Sequence, residues 1–384
     1  MVERNYQAEN SAFKELPDRQ SPIKETSIGY WMRANLFSSF TSLLLTLISL
    51  FIIAVVIWGL LDWTVLKATW TGTTQDACDR EGACWIFIGE KFLNFIYGYY
   101  PQLLYWRINL VVILFTLLII PVTLKRIALR KRLLYGSLLV FVYPVIGAAL
   151  ILGVPSITCN VSDPHPLCYV PTTKWGGLMM TLILSYVGIV VSIPIGILLA
   201  LGRMSNMPVI KMLSIIFIEI CRGVPLITIL FMASVVLPIF LPPGVEFNKL
   251  VRALIGIIFF QSAYYAEVVR GGLQAIPKGQ HEAADAAGLN YTQKTYYITL
   301  PQALKIVIPS IVGTSISLAK DTSLVVIIGL FDVLAIVTTS AADSNWLGFD
   351  SEGYVFVAFI FWVFCYSMSR YSYYLERKYG IQKH

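Results

Sequence analysis

Glu219 and Arg222 stand three residues apart inside one apolar run, and Gln261, Tyr264 and Glu267 occupy the next. Ionisable groups in such runs are costly, so they line a path or pair with one another. A spacing of three puts Glu219 and Arg222 on one helix face. Either they pair with each other, or Arg222 is left to meet a carboxylate from outside the chain. A third run is interrupted by Lys320-Asp321-Thr322-Ser323. Asp, Thr and Ser are helix-capping residues, and a helix restarting there offers free N–H groups suited to an anion such as an α-carboxylate. The plainer alternative is capping of a following helix. Pro225 removes a backbone donor and predicts a kink near Gly223. This is the chemistry of holding and passing a polar solute, with no covalent step.

Other chemistries find no support. His165, His281 and His384 are scattered over different segments, which argues against a metal site. No G-x-x-x-x-G-K-[ST] loop is present to cradle phosphates, so the chain is not expected to bind nucleotide itself or to be an enzyme.

The elements that must position these groups are membrane helices. Of 384 residues, 57% are hydrophobic and only 13% are charged, against roughly a quarter charged in a soluble domain. The expected fold is all-α and polytopic. Runs long enough to span a bilayer lie at 37–61, 108–124, 133–154, 177–201, 210–240, 252–270, 302–320 and 353–373, eight in all. The net charge of +7 is dispersed in short clusters between them, which argues against nucleic acid and for the positive-inside rule. With both termini inside, inner segments hold twenty Lys and Arg and outer segments seven. Among the inner ones are Arg4, Lys14, Arg19, Lys24 and Arg33, then Lys125 through Arg132, and Lys383. The first 36 residues read as a polar cytoplasmic tail without a cleaved signal peptide. After 302–320 we expect a short helix, 324–337, at the outer face.

Cys78 and Cys84 fall in the first outer loop and Cys159 and Cys168 in the second, where an oxidising compartment favours two disulfides. Three connectivities are open. Cys221 and Cys365 read as small buried apolar side chains. The aromatic stretch from Trp85 to Trp106 suggests an interfacial helix on the outer face.

Between the sixth and seventh runs, Glu282-Ala283-Ala284 is followed by three residues and Gly288, then nine more and Ile298-Thr299-Leu300-Pro301. The alanine-rich stretch from Glu282 to Ala287 should be helical, with Glu282 and Asp285 near its positive end. Gly288 should end it, and Pro301 should open a new helix. The whole spaced pattern resembles the coupling-loop signature of bacterial ABC-importer permeases. The resemblance extends over residues 175–384, through Gly177–Leu184, the Glu219–Leu226 pattern E-x-x-R-G-x-P-L, Ser262–Gly272 and Lys320–Leu324. Within it the chain looks like the polar-amino-acid uptake branch, above all its longer general L-amino-acid permease subunits.

That resemblance implies a five-span core at 171–384 with a coupling loop at 271–301, preceded by a three-span extension at 37–170. It implies that Glu282, Ala283, Ala284, Asp285, Gly288 and Leu289 engage separate ATPase subunits, which hold the ATP and Mg. Substrate-path candidates are Glu219, Arg222, Gln261, Tyr264, Glu267, Asp321, Thr322 and Ser323. Expected partners are a second homologous permease or a second copy, two ATPase subunits, a periplasmic solute-binding protein and membrane lipid. The expected location is the bacterial inner membrane, with both termini cytoplasmic. The rival reading is a secondary amino-acid transporter driven by an ion gradient.

Overall fold

Helices dominate the computed structural model, which describes residues 28–124, 127–159, 165–242, 244 and 247–379. The expectations for Arg4, Lys14, Arg19, Lys24, Lys125, Arg126 and Lys383 lie outside those residues. In chain order the helices are α1 (Ile28–Asn35), α2 (Phe40–Leu61), α3 (Trp85–Tyr97), α4 (Tyr105–Thr123), α5 (Leu129–Ser137), α6 (Tyr143–Leu152) and α7 (Gly177–Met204). They continue with α8 (Pro208–Gly223), α9 (Leu226–Phe231), α10 (Lys249–Gln274), α11 (Lys278–Ala286), α12 (Tyr291–Gln293), α13 (Leu300–Asp321), α14 (Val333–Ala341) and α15 (Asp350–Tyr379). A two-residue strand, β1 (Phe331–Asp332), precedes α14.

Six helical runs among the described residues are long and apolar enough to cross a membrane: Phe40–Leu66, Gln102–Thr123, Leu129–Leu152, Gly177–Met204, Tyr291–Ile328 and Asp350–Arg377. The expected span 210–240 is instead two pieces, α8 and Leu226–Phe240, bent by 107°. Pro225 at the break has no N–H to carry the helix forward. Counted together these pieces make a seventh span. The remaining expected run, 252–270, falls in the 26-residue α10, whose Gln261, Glu267 and Arg270 dilute its apolar character. Such a helix depends on neighbours to satisfy those groups, and α10 packs along α7, α8 and α13.

The chain divides into two compact units, one of residues 1–68 with 79–83, the other of 69–78 with 84–384. In the first, α2 is strongly apolar and none of its 22 residues is buried, the composition of a membrane span. Ser39 caps it by accepting the Ser42 N–H. Lys67 pairs with Asp62 at 3.2 Å and Glu81 at 3.8 Å.

The second unit is centred on α7, α10 and α13. Met180, Leu184, Leu230, Ile257, Leu318 and Val325 form part of its main core. The α7–α10 approach is close: a Cβ on Gly196 would lie 2.6 Å from the Tyr265 Cβ and 3.0 Å from the Ser262 carbonyl oxygen. A second core joins α3 to α14 and α15 through Phe87, Phe95, Val337 and Val357, with Trp346 and Phe349 from the turn between α14 and α15. Phe87 is wholly buried, its ring 5.7 Å from that of Trp346. The stretch from Trp85 to Trp106 is therefore not one helix; α3 is a packed element capped by Gly98, and α4 begins at Tyr105.

The expected helix 324–337 is also replaced. A 3₁₀ turn, Thr322–Ile328, ends at Gly329 with φ +75°. Phe331 and Asp332 then bridge to Gly176 and Gly177 at the head of α7. Asp332 starts α14 by accepting the Ala335 N–H at 3.0 Å. Its carboxylate is fully buried with Oδ2 unpartnered, and burial pushes it up to about 6.

Disulfides join Cys78 to Cys84 and Cys159 to Cys168. Arg107 is wholly buried against the second loop. Its guanidinium donates to the carbonyls of Pro166 and Cys168, at 2.8 and 2.9 Å. The Cys84 N–H donates to Glu352 Oε1 at 3.1 Å, tying the first loop to α15. Cys221 is buried and Cys365 half-buried, both unpaired.

Candidate functional site

The Glu282 region folds as α11, which starts after Pro277, four residues earlier than expected. Glu282 thus stands mid-helix and Asp285 near the C-terminal end, where the helix dipole disfavours an acid. Lys294 offsets this by pairing with Asp285 at 2.7 Å. Gly288, at φ +73°, closes the helix with a Schellman arrangement. Its N–H donates to the Asp285 carbonyl at 3.0 Å, and the Leu289 N–H reaches the Ala284 carbonyl at 3.2 Å. Ala284 is buried, while Glu282, Ala283, Ala286 and Ala287 are exposed. The exposed surface is therefore rich in small side chains and carries two acids, Glu282 and the Lys294-paired Asp285.

Past Gly288, Asn290 and Gln293 form a capping box, and helix continues from Tyr291 to Ile328. Pro301 does not start it. A wide turn at Lys294–Thr299 precedes Pro301, loosening the ladder where the ring would otherwise crowd a carbonyl. Gln302 Nε2 donates to Gln280 Oε1 at 3.1 Å. Together with the Lys294 pair, this clips α11 to the run that contains α13.

A cavity of about 410 Å³ opens between α10 and α13, lined by Phe260, Gln261, Tyr264, Ser310, Gly313, Thr314, Ser317 and Asp321. Ser310, Thr314, Ser317 and Asp321 follow steps of four, three and four, which place them on one face of α13. Gln261 Nε2 donates to the Thr314 carbonyl at 3.1 Å. The cavity offers hydroxyls, an amide, a phenol and one carboxylate.

A separate ion cluster joins the ends of α7 and α8 to α10. Glu267, its side chain 14% exposed, meets Arg203 at 2.9 Å, Arg270 at 2.8 Å and Arg222 at 3.5 Å. Glu219 pairs with Arg203 at 2.8 Å. Arg222 also lies over the Tyr264 ring, 5.8 Å from its centroid.

Of the eight path candidates, Gln261, Tyr264 and Asp321 line the cavity, and Glu219, Arg222 and Glu267 belong to the ion cluster. Glu219 and Arg222 do not pair with each other; each finds its partner on another helix. Thr322 and Ser323 stand apart. The chain does not break there, the Thr322 N–H donates to Leu318 and Lys320 carbonyls, and the two hydroxyls donate to Ala319 and Lys320 carbonyls. The free N–H groups of a restarting helix are accordingly not formed. Arg203 and three of the four α13 stripe residues, Ser310, Thr314 and Ser317, were not among the expected site residues. The stripe's spacing within an apolar run is the signal that could have found it. Among the described residues no group of His, Cys, Asp and Glu is placed to hold a metal.

Residues 192–381 match the family described as binding-protein-dependent transport system inner membrane component. The inner membrane amino-acid ABC transporter permease protein YhdY of Escherichia coli (strain K12) is 49% identical over 364 residues, 95% of this chain and 96% of that protein. The glutamate/glutamine/aspartate/asparagine transport system permease protein BztC of Rhodobacter capsulatus is 38% identical over 423 residues, covering 94% of this chain and 96% of its own. The probable glutamine ABC transporter permease protein GlnP of Bacillus subtilis (strain 168) is 35% identical over 175 residues, 45% of this chain and 79% of that one.

Proposed function

Because this chain belongs to the inner-membrane permeases of amino-acid ABC transporters, we propose that it lines the translocation path of an ATP-driven importer and is moved by separate ATPase subunits. The supporting observation is α11. It is short, exposes Glu282, Ala283, Ala286 and Ala287, and is clipped to the α13 run by Asp285–Lys294 and Gln280–Gln302. A groove on an ATPase can seat that low-relief face, with Glu282, Ala283, Ala284, Asp285, Gly288 and Leu289 forming or shaping the contact. ATP and Mg are held by those subunits.

The complete importer pairs this chain with a homologous permease or a second copy, two ATPase subunits and a periplasmic solute-binding protein. It resides in a bacterial inner membrane with both termini in the cytoplasm. Residues 171–384 form the core, and 37–170 an added scaffold. The α10–α13 cavity takes a polar amino acid. Its volume lies within the range of small-molecule sites, and Asp321 suits the solute's ammonium group while Gln261 and the hydroxyls take its polar atoms.

Co-purification from membranes should bring down an ATPase, and transport should stop in ATP-depleted vesicles. Uptake that survives ATP depletion but collapses with the ion gradient would overturn this reading in favour of a secondary transporter.

A further inference from the structure

We propose that Glu267 is a positioning residue: with Arg203, Arg222 and Arg270 it forms a clamp between the solute cavity and α11, and transport requires the clamp to open and re-form. The inference rests on the proposed function in one respect, that an ATPase moves α11.

Three helices meet in the clamp and only one residue is common to its pairs. Arg203 comes from α7, Arg222 from α8, and Arg270 from α10 itself; all three reach the Glu267 carboxylate. Separating α7 or α8 from α10 at this end must break at least one of these pairs. Without Glu267 the three guanidiniums would face one another with only Glu219 to compensate, and Glu219 is the more exposed acid at 56% against 14%.

The clamp connects in both directions. On α10, Phe260, Tyr264, Glu267, Gly271 and Gln274 follow steps of four, three, four and three, so they lie on one face. Phe260 and Tyr264 line the cavity, and Arg222 covers the Tyr264 ring. Toward α11, Arg270 Nη1 donates to Gln274 Oε1 at 2.8 Å; Gln274 is the last residue of α10, and α11 begins at Lys278. Arg222 is also the penultimate residue before the 107° break between α8 and α9. A displacement of α11 therefore acts on the pair next to it, and a change at Arg222 acts on the wall of the cavity and on the bend.

The test uses the whole complex in proteoliposomes, with uptake and solute-independent ATP hydrolysis measured side by side. Glu267→Gln should lower uptake at least tenfold while raising basal hydrolysis several-fold at an unchanged amount of assembled complex. Glu267→Asp should restore part of the uptake. Arg203→Gln, which leaves the Glu267–Arg270 pair intact, should uncouple more mildly, and its effect should not add to that of Glu267→Gln. If Glu267→Gln fails to assemble, Arg203→Gln carries the test alone. Wild-type uptake and hydrolysis in both variants would overturn the proposal. So would a parallel fall of both activities in assembled complex, the mark of a merely structural role. A wild-type complex that shows no ATP dependence would instead sink the importer reading.

Discussion

Gly288 offers a graded test of how α11 is held. Its φ of +73° costs glycine nothing, while an L-residue pays about 1–2 kcal/mol in that region. A Cβ there meets no atom within 4 Å, so within this chain any penalty comes from the backbone alone. Two hydrogen bonds depend on the turn, from the Gly288 and Leu289 N–H groups, worth together about 2 kcal/mol net. Alanine, at about 1 kcal/mol, should raise the opening of this end about fivefold, and valine, at about 2 kcal/mol, about thirtyfold. Valine thereby brings the closed and open forms near equality. Asparagine tolerates the left-handed region and should sit closest to glycine. Hydrogen exchange of residues 278–293 in the purified protein reads the opening directly, and uptake by the complex should fall to about half with valine and hardly at all with asparagine. Equal exchange across glycine, alanine and valine would refute the backbone argument. Asparagine failing in uptake as badly as valine, with normal exchange, would show that the glycine makes room for a partner.

Asp332→Asn keeps the cap on α14 and removes a titration. Because burial raises the native carboxyl from 3.8 to about 6, the folded protein holds a proton that the unfolded chain releases between those values. Stability is then greatest below about pH 4 and falls as pH rises to about 6, by up to roughly 3 kcal/mol; the melting midpoint in detergent should show this slope in the wild type and lose it in the variant. Arg107→Met leaves the Pro166 and Cys168 carbonyls without their donors, at about 1–3 kcal/mol for each buried group. Limited proteolysis should then cut the 153–175 loop sooner. Gly196→Val drives α7 from α10, since the Tyr265 Cβ and Ser262 carbonyl cannot yield; about 1–3 kcal/mol or more is lost, visible as a lower melting midpoint together with lower uptake.

Hydropathy carried most of the fold, because a bilayer core demands a fixed length of apolar helix. It was weakest where helices satisfy polar groups against one another, as in α10, and where the chain turns inside an apolar stretch. Pro225 announced a kink but not its 107° size; Gly329 announced little, since a single glycine in an apolar run is tolerated in a helix at a cost of only about 1 kcal/mol. The burial of Phe87 was not legible because aromatic rings favour both interfaces and cores, and its packing on Trp346 and Phe349 comes from distant sequence. At the site, spacing identified the α11 loop but misplaced its start, because Lys278 through His281 carry no strong helix signal. The partners that Glu219 and Glu267 find on other helices were hidden for a different reason. Arg203 is 16 residues from Glu219 and on another helix, and pairing rules within one helix reach no further than four.

The helical run from Tyr291 to Ile328 has 38 residues, or about 57 Å at 1.5 Å per residue. α11 is fastened at its first turns, through Lys294 and Gln302, and the cavity face from Ser310 to Asp321 begins about 12 Å further along from Gln302. A rod of that length pivoting near one end by about 5° carries its far end about 5 Å, roughly the rise of one helical turn. An angular change at the near end too small to disturb local packing is thus enough to move Asp321 by more than a hydrogen-bond length. For such a pivot, the displacement at each cavity residue scales with how far along this helix it sits.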